Sequence, residues 1–107
     1  MPQYFFTPAN AAAFRSDKLA KIDVARGEQL FVGLNCFEPG QSQPVHSHAG
    51  ADKFYLILSG NARMLVGDEQ HDAGPGTLVW APTGVPHGVE RVAERTVMLV
   101  AMASAGR

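Results

Sequence analysis

Hydrophobic and polar residues alternate along most of this chain, and this is the pattern of β-strands with one buried face. The N-terminal third shows the pattern at residues 20–24, where Ala20, Ile22 and Val24 alternate with Lys21 and Asp23. Strands are predicted at residues 20–24, 30–37, 53–58, 62–66, 77–81, 87–92 and 96–102. Many short strands separated by 11 glycines and 7 prolines predict an all-β fold, built as an antiparallel sandwich or barrel.

One segment departs from the strand pattern and predicts a single short helix near the N-terminus. It begins with Thr7 and Pro8 and continues through three consecutive alanines to Phe14. Thr7 is a suitable N-cap, and Pro8 suits the first helical position because its missing N–H is not needed there.

Composition limits the classes of protein to which this chain can belong. With 107 residues, 46% of them hydrophobic and 18% charged, it is expected to form one domain over residues 1–107. The net charge of −1 and the absence of a basic cluster predict no nucleic-acid partner. No apolar stretch approaches the roughly 20 residues that span a bilayer, so no membrane partner is expected.

The N-terminus and the single cysteine indicate the compartment. Residues 1–8 lack the basic and apolar regions of a secretion signal. Cys36 has no second cysteine to pair with, which favours a reducing cytoplasm. We expect Cys36 to pack as a small apolar side chain within its strand.

The chemistry of this sequence lies in its histidines. His46 and His48 form an H-x-H pair, and His87 follows much later, after a segment rich in glycine and proline. Alternate residues of a strand share a face, so the pair can present both imidazoles to one ion, with His87 as a third ligand. Three protein ligands leave coordination positions open, as a catalytic metal site requires. His71 is predicted to be a surface residue without a partner.

Residues 40–60 and 76–91 resemble the two motifs of the cupin superfamily, G-x5-H-x-H-x(3,4)-E-x6-G and G-x5-P-x-G-x2-H-x3-N. The matching positions are Gly40, His46, His48 and Gly60 in the first motif, and Gly76, Pro82, Gly84 and His87 in the second. The resemblance implies a double-stranded β-helix, or jelly-roll, with its core barrel at about residues 19–103. It also implies a divalent metal at the three histidines (iron, manganese, zinc, nickel or copper) and a homodimer formed through outer sheets with exchanged N-terminal strands.

Two positions depart from the motifs. Lys53 stands where the family has a glutamate ligand, and Arg91 stands where it usually has asparagine. A protonated lysine has no lone pair and repels a dication. Three arrangements follow: a metal held by the histidines alone, a shifted loop in which Asp52 supplies a carboxylate ligand, or a metal-free barrel in which Lys53 replaces the cation.

Lys53, Tyr55 and Arg91 are the candidate catalytic residues. If Lys53 faces into the barrel, Tyr55 and Ile57 do so as well, and Lys53 can serve as a general base or an anion anchor. Alternatively, Lys53 extends to solvent or pairs with Asp52. Arg91 can meet a substrate carboxylate, or it can form a surface ion pair with Glu90 or Glu94. The aromatic residues Phe37 and Trp80 are expected in the core.

The sequence therefore predicts a metal-dependent enzyme of the oxygenase or isomerase/lyase class, acting on a small polar or anionic molecule. The alternative is a non-catalytic cupin that binds a small molecule or a metal. One fold hosts many chemistries, so the fold alone does not decide between the two.

Overall fold

The computed structural model describes residues 2–104, which contain one 3₁₀ turn, Pro8–Ala11, and nine strands. The strands are β1 (Ala20–Arg26), β2 (Leu30–Phe37), β3 (Gln43–His46), β4 (Ala51–Ser59), β5 (Ala62–Val66), β6 (Glu69–Ala73), β7 (Leu78–Ala81), β8 (His87–Val92) and β9 (Thr96–Ser104). The predicted domain limits, residues 1 and 107, lie outside the described residues.

The strands form two antiparallel sheets. The five-stranded sheet has the order β1-β2-β9-β4-β7, and the four-stranded sheet has the order β3-β8-β5-β6. Strands distant in sequence are paired, since β2 lies beside β9 and β5 lies beside β8. The result is a double-stranded β-helix, and the predicted all-β jelly-roll fold is confirmed.

The main core lies between the two sheets. Along β4, the side chains of Lys53, Tyr55 and Ile57 are buried, while Phe54 and Leu56 are only half-buried. This period of two places Lys53 on the inward face together with Tyr55 and Ile57, which is one of the two alternatives that the sequence left open. The buried cluster consists of Phe37, Tyr55, Ile57, Ala62, Met64, Ala73, Ala81, Val89, Val92, Met98 and Val100.

A second apolar layer covers the opposite face of the five-stranded sheet. Leu34, Cys36 and Val97 are buried there, and Phe14 from the N-terminal segment packs against them. Cys36 is fully buried, as predicted, and burial raises the pKa of its thiol. From Gly33 to Phe37, β2 is therefore buried on both faces, as its predominantly apolar residues require.

The predicted N-terminal helix is reduced to the single 3₁₀ turn, Pro8–Ala11. Pro8 does occupy its first turn, but the Thr7 side chain forms no capping hydrogen bond and Ala12 is already extended. So short a segment gains too few hydrogen bonds to offset helix nucleation. Extended backbone instead lets Ala12 and Phe14 pack against the outer face of the sheet.

The two aromatic residues predicted in the core behave differently. Phe37 is fully buried, as predicted. The prediction for Trp80 was wrong, because its side chain is 53% exposed. Trp80 lies on β7, the last strand of its sheet, and pairs with Phe54 on the outward face. Together with Leu78 it lines an exterior groove of about 300 Å³ between β6 and β7.

Candidate metal centre

The pairing of β3 with β8 brings two of the histidines together. His46 ends β3, His87 begins β8, and the two residues are direct partners across the antiparallel pair. Their ring centroids are 4.4 Å apart. His48 lies two residues beyond β3, and its ring centroid is 4.9 Å from that of His46 and 5.7 Å from that of His87.

These distances place three imidazoles around one point. A nitrogen from each of His46, His48 and His87 lies within 4.8 Å of the other two. The side chain of His87 is 1% exposed, and those of His46 and His48 are half-buried. Three neutral imidazoles suit divalent zinc, copper, iron or nickel, so the cluster is compatible with a metal ion.

Hydrogen bonds orient two of the rings. Nδ1 of His87 is 3.0 Å from the carbonyl oxygen of Val85, and Nδ1 of His46 is 2.9 Å from that of Pro44. A carbonyl oxygen only accepts, so each Nδ1 must carry the hydrogen, and in a neutral ring each Nε2 then has the free lone pair. This is the tautomer that a metal-ligating histidine adopts when its other nitrogen donates to a carbonyl group.

Nε2 of His87 is the buried side-chain nitrogen that tests whether a metal fits. Among the described residues it has no hydrogen-bond partner. A buried polar atom without a partner costs free energy unless something satisfies it. Burial, the largest effect, lowers the pKa of His87 and favours the neutral ring that binds metals. The residues present therefore fit a divalent ion.

The loop that leads to His87 is attached to the other side of the site. The N–H of Gly84 donates to the carbonyl oxygen of His48 (2.9 Å), and the N–H of Thr83 donates to Oδ1 of Asp52 (3.0 Å). Asp52 is exposed and directed towards this loop, and it is not part of the histidine cluster. Its role as a loop anchor has no signal in the sequence, because Thr83 is distant along the chain.

Replacing Asp52 with alanine is expected to weaken metal binding about tenfold, the lower end of the effect of losing an outer hydrogen bond. The Thr83 N–H loses its acceptor, and the loop that positions His87 becomes less ordered. Titration against a competing chelator measures the change. Asp68→Ala, at an exposed turn, is the control, and an equal loss in both variants would contradict the anchoring role.

Lys53 faces the interior and is 6% exposed. Its Nζ lies 4.9 Å from the centroid of the Tyr55 ring. The predicted pair with Asp52 does not form, and neither does any other ion pair with Lys53 among residues 2–103. Burial, together with the charge of Lys21, lowers the pKa of Lys53 to about 8. The buried positive charge of Lys53 therefore destabilises the folded protein.

The lowered pKa of Lys53 predicts how the folding stability changes with pH. Between pH 8 and pH 10.5 the unfolded chain holds a proton on Lys53 that the folded chain has lost, so stability rises with pH in this window. The variant Lys53→Met should be more stable than the metal-free parent at neutral pH, and its advantage should shrink as the pH approaches 10.5. Urea unfolding at several pH values measures this. A constant difference between the two proteins would contradict the prediction.

Tyr55 lies beneath the histidines. It is fully buried, and its ring centroid is 6.1 Å from that of His87. Its hydroxyl group donates to Oε1 of Gln43 (3.4 Å), a buried residue of β3 that the sequence did not single out. Burial raises the pKa of Tyr55 well above its usual range, so the hydroxyl group stays neutral.

The structure does not bring Arg91 to the histidines. Arg91 is exposed and pairs in the sheet with Arg63, and both line an exterior groove. Neither ion pair predicted for Arg91 forms among residues 2–103, since Glu90 lies near Arg63 instead. His71 is exposed as predicted, but the predicted lack of a partner was wrong, because its Nε2 is 3.2 Å from a carboxylate oxygen of Glu69.

The sequence model of the cupin domain matches residues 33–102, which contain all three clustered histidines. This chain belongs to the cupin domain family. Both motifs on which the resemblance rested lie within the matched residues, and the predicted relationship is confirmed.

The similarity of this cupin to other proteins extends over most of its chain. Uncharacterized protein SCO3923 of Streptomyces coelicolor is 31% identical over an alignment of 97 residues, which covers 82% of this chain and 91% of that protein. The crystal structure of TT1209 from Thermus thermophilus is 37% identical and superimposes with a TM-score of 0.89, covering 94% of this chain and 96% of that one. An RmlC-like cupin protein from Desulfovibrio desulfuricans is 28% identical, with a TM-score of 0.80 and 96% of each chain covered.

Within residues 2–104, no helix has the length and apolar character needed to cross a bilayer.

Proposed function

We propose that this cupin is a metal-dependent enzyme of the oxygenase or isomerase/lyase class, acting on a small polar or anionic molecule. His46, His48 and His87 would hold the divalent ion, with iron, zinc, nickel, manganese and copper as candidates. The observation that carries this proposal is Nε2 of His87, which is buried beside the other two rings without a partner among the described residues.

A divalent ion at such a site supplies Lewis-acid or redox chemistry at the positions that the protein leaves open. The chain itself contributes orientation and exclusion of water. Buried Tyr55 forms an apolar wall beneath the histidines, and inward-facing Lys53 can bind negative charge on the substrate. Arg91 lies in an exterior groove, so the proposed site uses Lys53 and Tyr55.

Lys53 also supports a second candidate function, a metal-free barrel that binds a small molecule without turnover. Its buried ammonium occupies the position of the family's glutamate and carries the charge that repels a dication. In this alternative, the Nε2 lone pairs of His46 and His87 would accept hydrogen bonds from the ligand.

Elemental analysis separates the two candidates. Protein purified without an affinity tag, and loaded in turn with each of the five metals, is compared with His46→Ala/His48→Ala. His71→Ala is the matched control, since His71 is an exposed histidine outside the cluster. Near-stoichiometric metal in the parent and in His71→Ala, with none in the double variant, supports the metal site. No metal in any of the three proteins favours the metal-free barrel.

We also propose that the protein is a homodimer located in the cytoplasm. Phe5 is 89% exposed, Tyr4 and Phe6 are exposed as well, and burial of these aromatic side chains against a second copy would remove apolar surface from water. Analytical ultracentrifugation tests this, with a monomer at micromolar concentration as the contrary result.

A further inference from the structure

The ammonium of Lys53 has no counter-charge within the described part of the chain, and it lies where a charge is costly. Its side chain is 6% exposed, and no ion pair with it forms among residues 2–103. Removing an ion from water is costly unless a partner compensates. The contact with the Tyr55 ring at 4.9 Å compensates only in part, because a cation–π contact is weaker than the hydration that the buried ammonium loses.

The surrounding strands do not supply the missing anion. In the sheet, Lys53 has Ala81 beside it on β7 and Met102 beside it on β9, and neither residue carries charge. The adjacent carboxylate of Asp52 is directed outward and accepts the N–H of Thr83. The hydroxyl group of Tyr55 is directed to Gln43. Among residues 2–103, then, no group supplies the counter-anion, and an anionic ligand would supply it.

We propose that Lys53 is the binding site for the carboxylate of a small organic acid, which is the substrate class of this cupin. The inference rests on the proposed function for the role of the histidines, and on Lys53 alone for the anion. Lys53 and His87 both lie against the same Tyr55 ring, with Nζ at 4.9 Å and the His87 centroid at 6.1 Å. In the proposed complex, the carboxylate of a small acid would meet the ammonium, and its next polar atom would face the histidines.

The charge at this position favours a carboxylate over a phosphate. One ammonium neutralises one negative charge, whereas a phosphate group carries close to two at neutral pH. Phosphate sites commonly add an arginine fork or a set of backbone N–H groups. Arg91, which could have supplied the fork, lies in the exterior groove. When no metal ion is bound, the single buried cation thus matches a monoanion.

The test uses the full-length protein with acetate, glycolate and pyruvate as probes, and with acetamide, chloride and inorganic phosphate for comparison. Binding is followed by NMR chemical-shift titration in the parent and in His46→Ala/His48→Ala, which removes two of the proposed metal ligands. We expect the carboxylates to bind to both proteins and to bind more tightly than acetamide, chloride or phosphate. Lys53→Met should weaken carboxylate binding at least tenfold in either background.

Further variants keep the test decisive. Lys53→Gln, which is also neutral but polar, should show the same loss, and Lys53→Arg should retain part of the binding. Lys18→Met, an exposed lysine, is the matched control and should bind like the parent. The proposal is overturned if carboxylates fail to bind, if chloride or phosphate binds equally well, or if Lys53→Met and Lys53→Gln bind like the parent. Because the double variant lacks two histidines, these results do not depend on whether the metal site exists.

Discussion

Replacing Lys53 with glutamate is expected to tighten metal binding roughly a hundredfold or more, since it removes a positive charge and adds an oxygen ligand. Lys53 faces the interior from the position where the cupin motif has glutamate. The substitution therefore changes the interaction of this side chain with a dication from repulsion to attraction. Competition with a chelator of known affinity, using zinc and then iron, measures the gain.

Two control variants separate the loss of charge repulsion from the gain of an oxygen ligand. Lys53→Met removes the repulsion without adding a ligand, so it should show a smaller gain than Lys53→Glu. Lys18→Glu makes the same charge reversal at an exposed position and should change metal binding little. If Lys53→Glu binds metal no better than the parent, Lys53 does not act on the histidine cluster, and its charge does not oppose a metal there.

Substituting Gly60 with alanine is expected to destabilise the protein by about 4 kcal/mol, which lowers the melting temperature by roughly 20 °C. Gly60 has a φ of +85°, and an added Cβ would meet the carbonyl oxygen of Arg95, Oγ1 of Thr96 and, at 2.6 Å, Cα of Thr96. These atoms are held in place, because Thr96 is fully buried and its hydroxyl group accepts the Asn61 N–H at 3.1 Å.

Gly76→Ala is the matched control for this substitution. Gly76 has nearly the same φ, +86°, but an added Cβ there meets no atom within 4 Å. Its loss should be about 1 kcal/mol, from backbone strain alone. Thermal unfolding of the metal-free proteins compares the two variants, and similar losses would mean that the contact at Gly60 relaxes freely.

Much of the fold could be predicted from the sequence because the strands show their pattern locally. The alternation in β1 and β4, and the glycines between strands, indicated the elements and their buried faces. Two strands were not predicted. β3 contains Pro44, which is tolerated because β3 is an edge strand of its sheet. β6 is polar and exposed except for Ala73, so it shows no apolar alternation.

The candidate site could be predicted only in part. His46, His48 and His87 were recognised by spacing, and the structure places them together. The orientation of their rings depends on carbonyl groups of Pro44 and Val85, which any residue could have supplied. Motif spacing therefore identifies the side chains, but it carries no information about the backbone groups that orient them.

The sequence by itself determined the all-β class, the family and the identity of the clustered histidines, because these depend on local periodicity and on spacing within motifs. The tertiary structure decided which residues meet. Pairing of β3 with β8 placed His46 opposite His87, and the same fold left Lys53 buried without a counter-charge among the residues described. It also left Trp80 exposed on an edge strand. Such outcomes depend on contacts between distant segments, and burial of a side chain is fixed only when the neighbouring strands are in place.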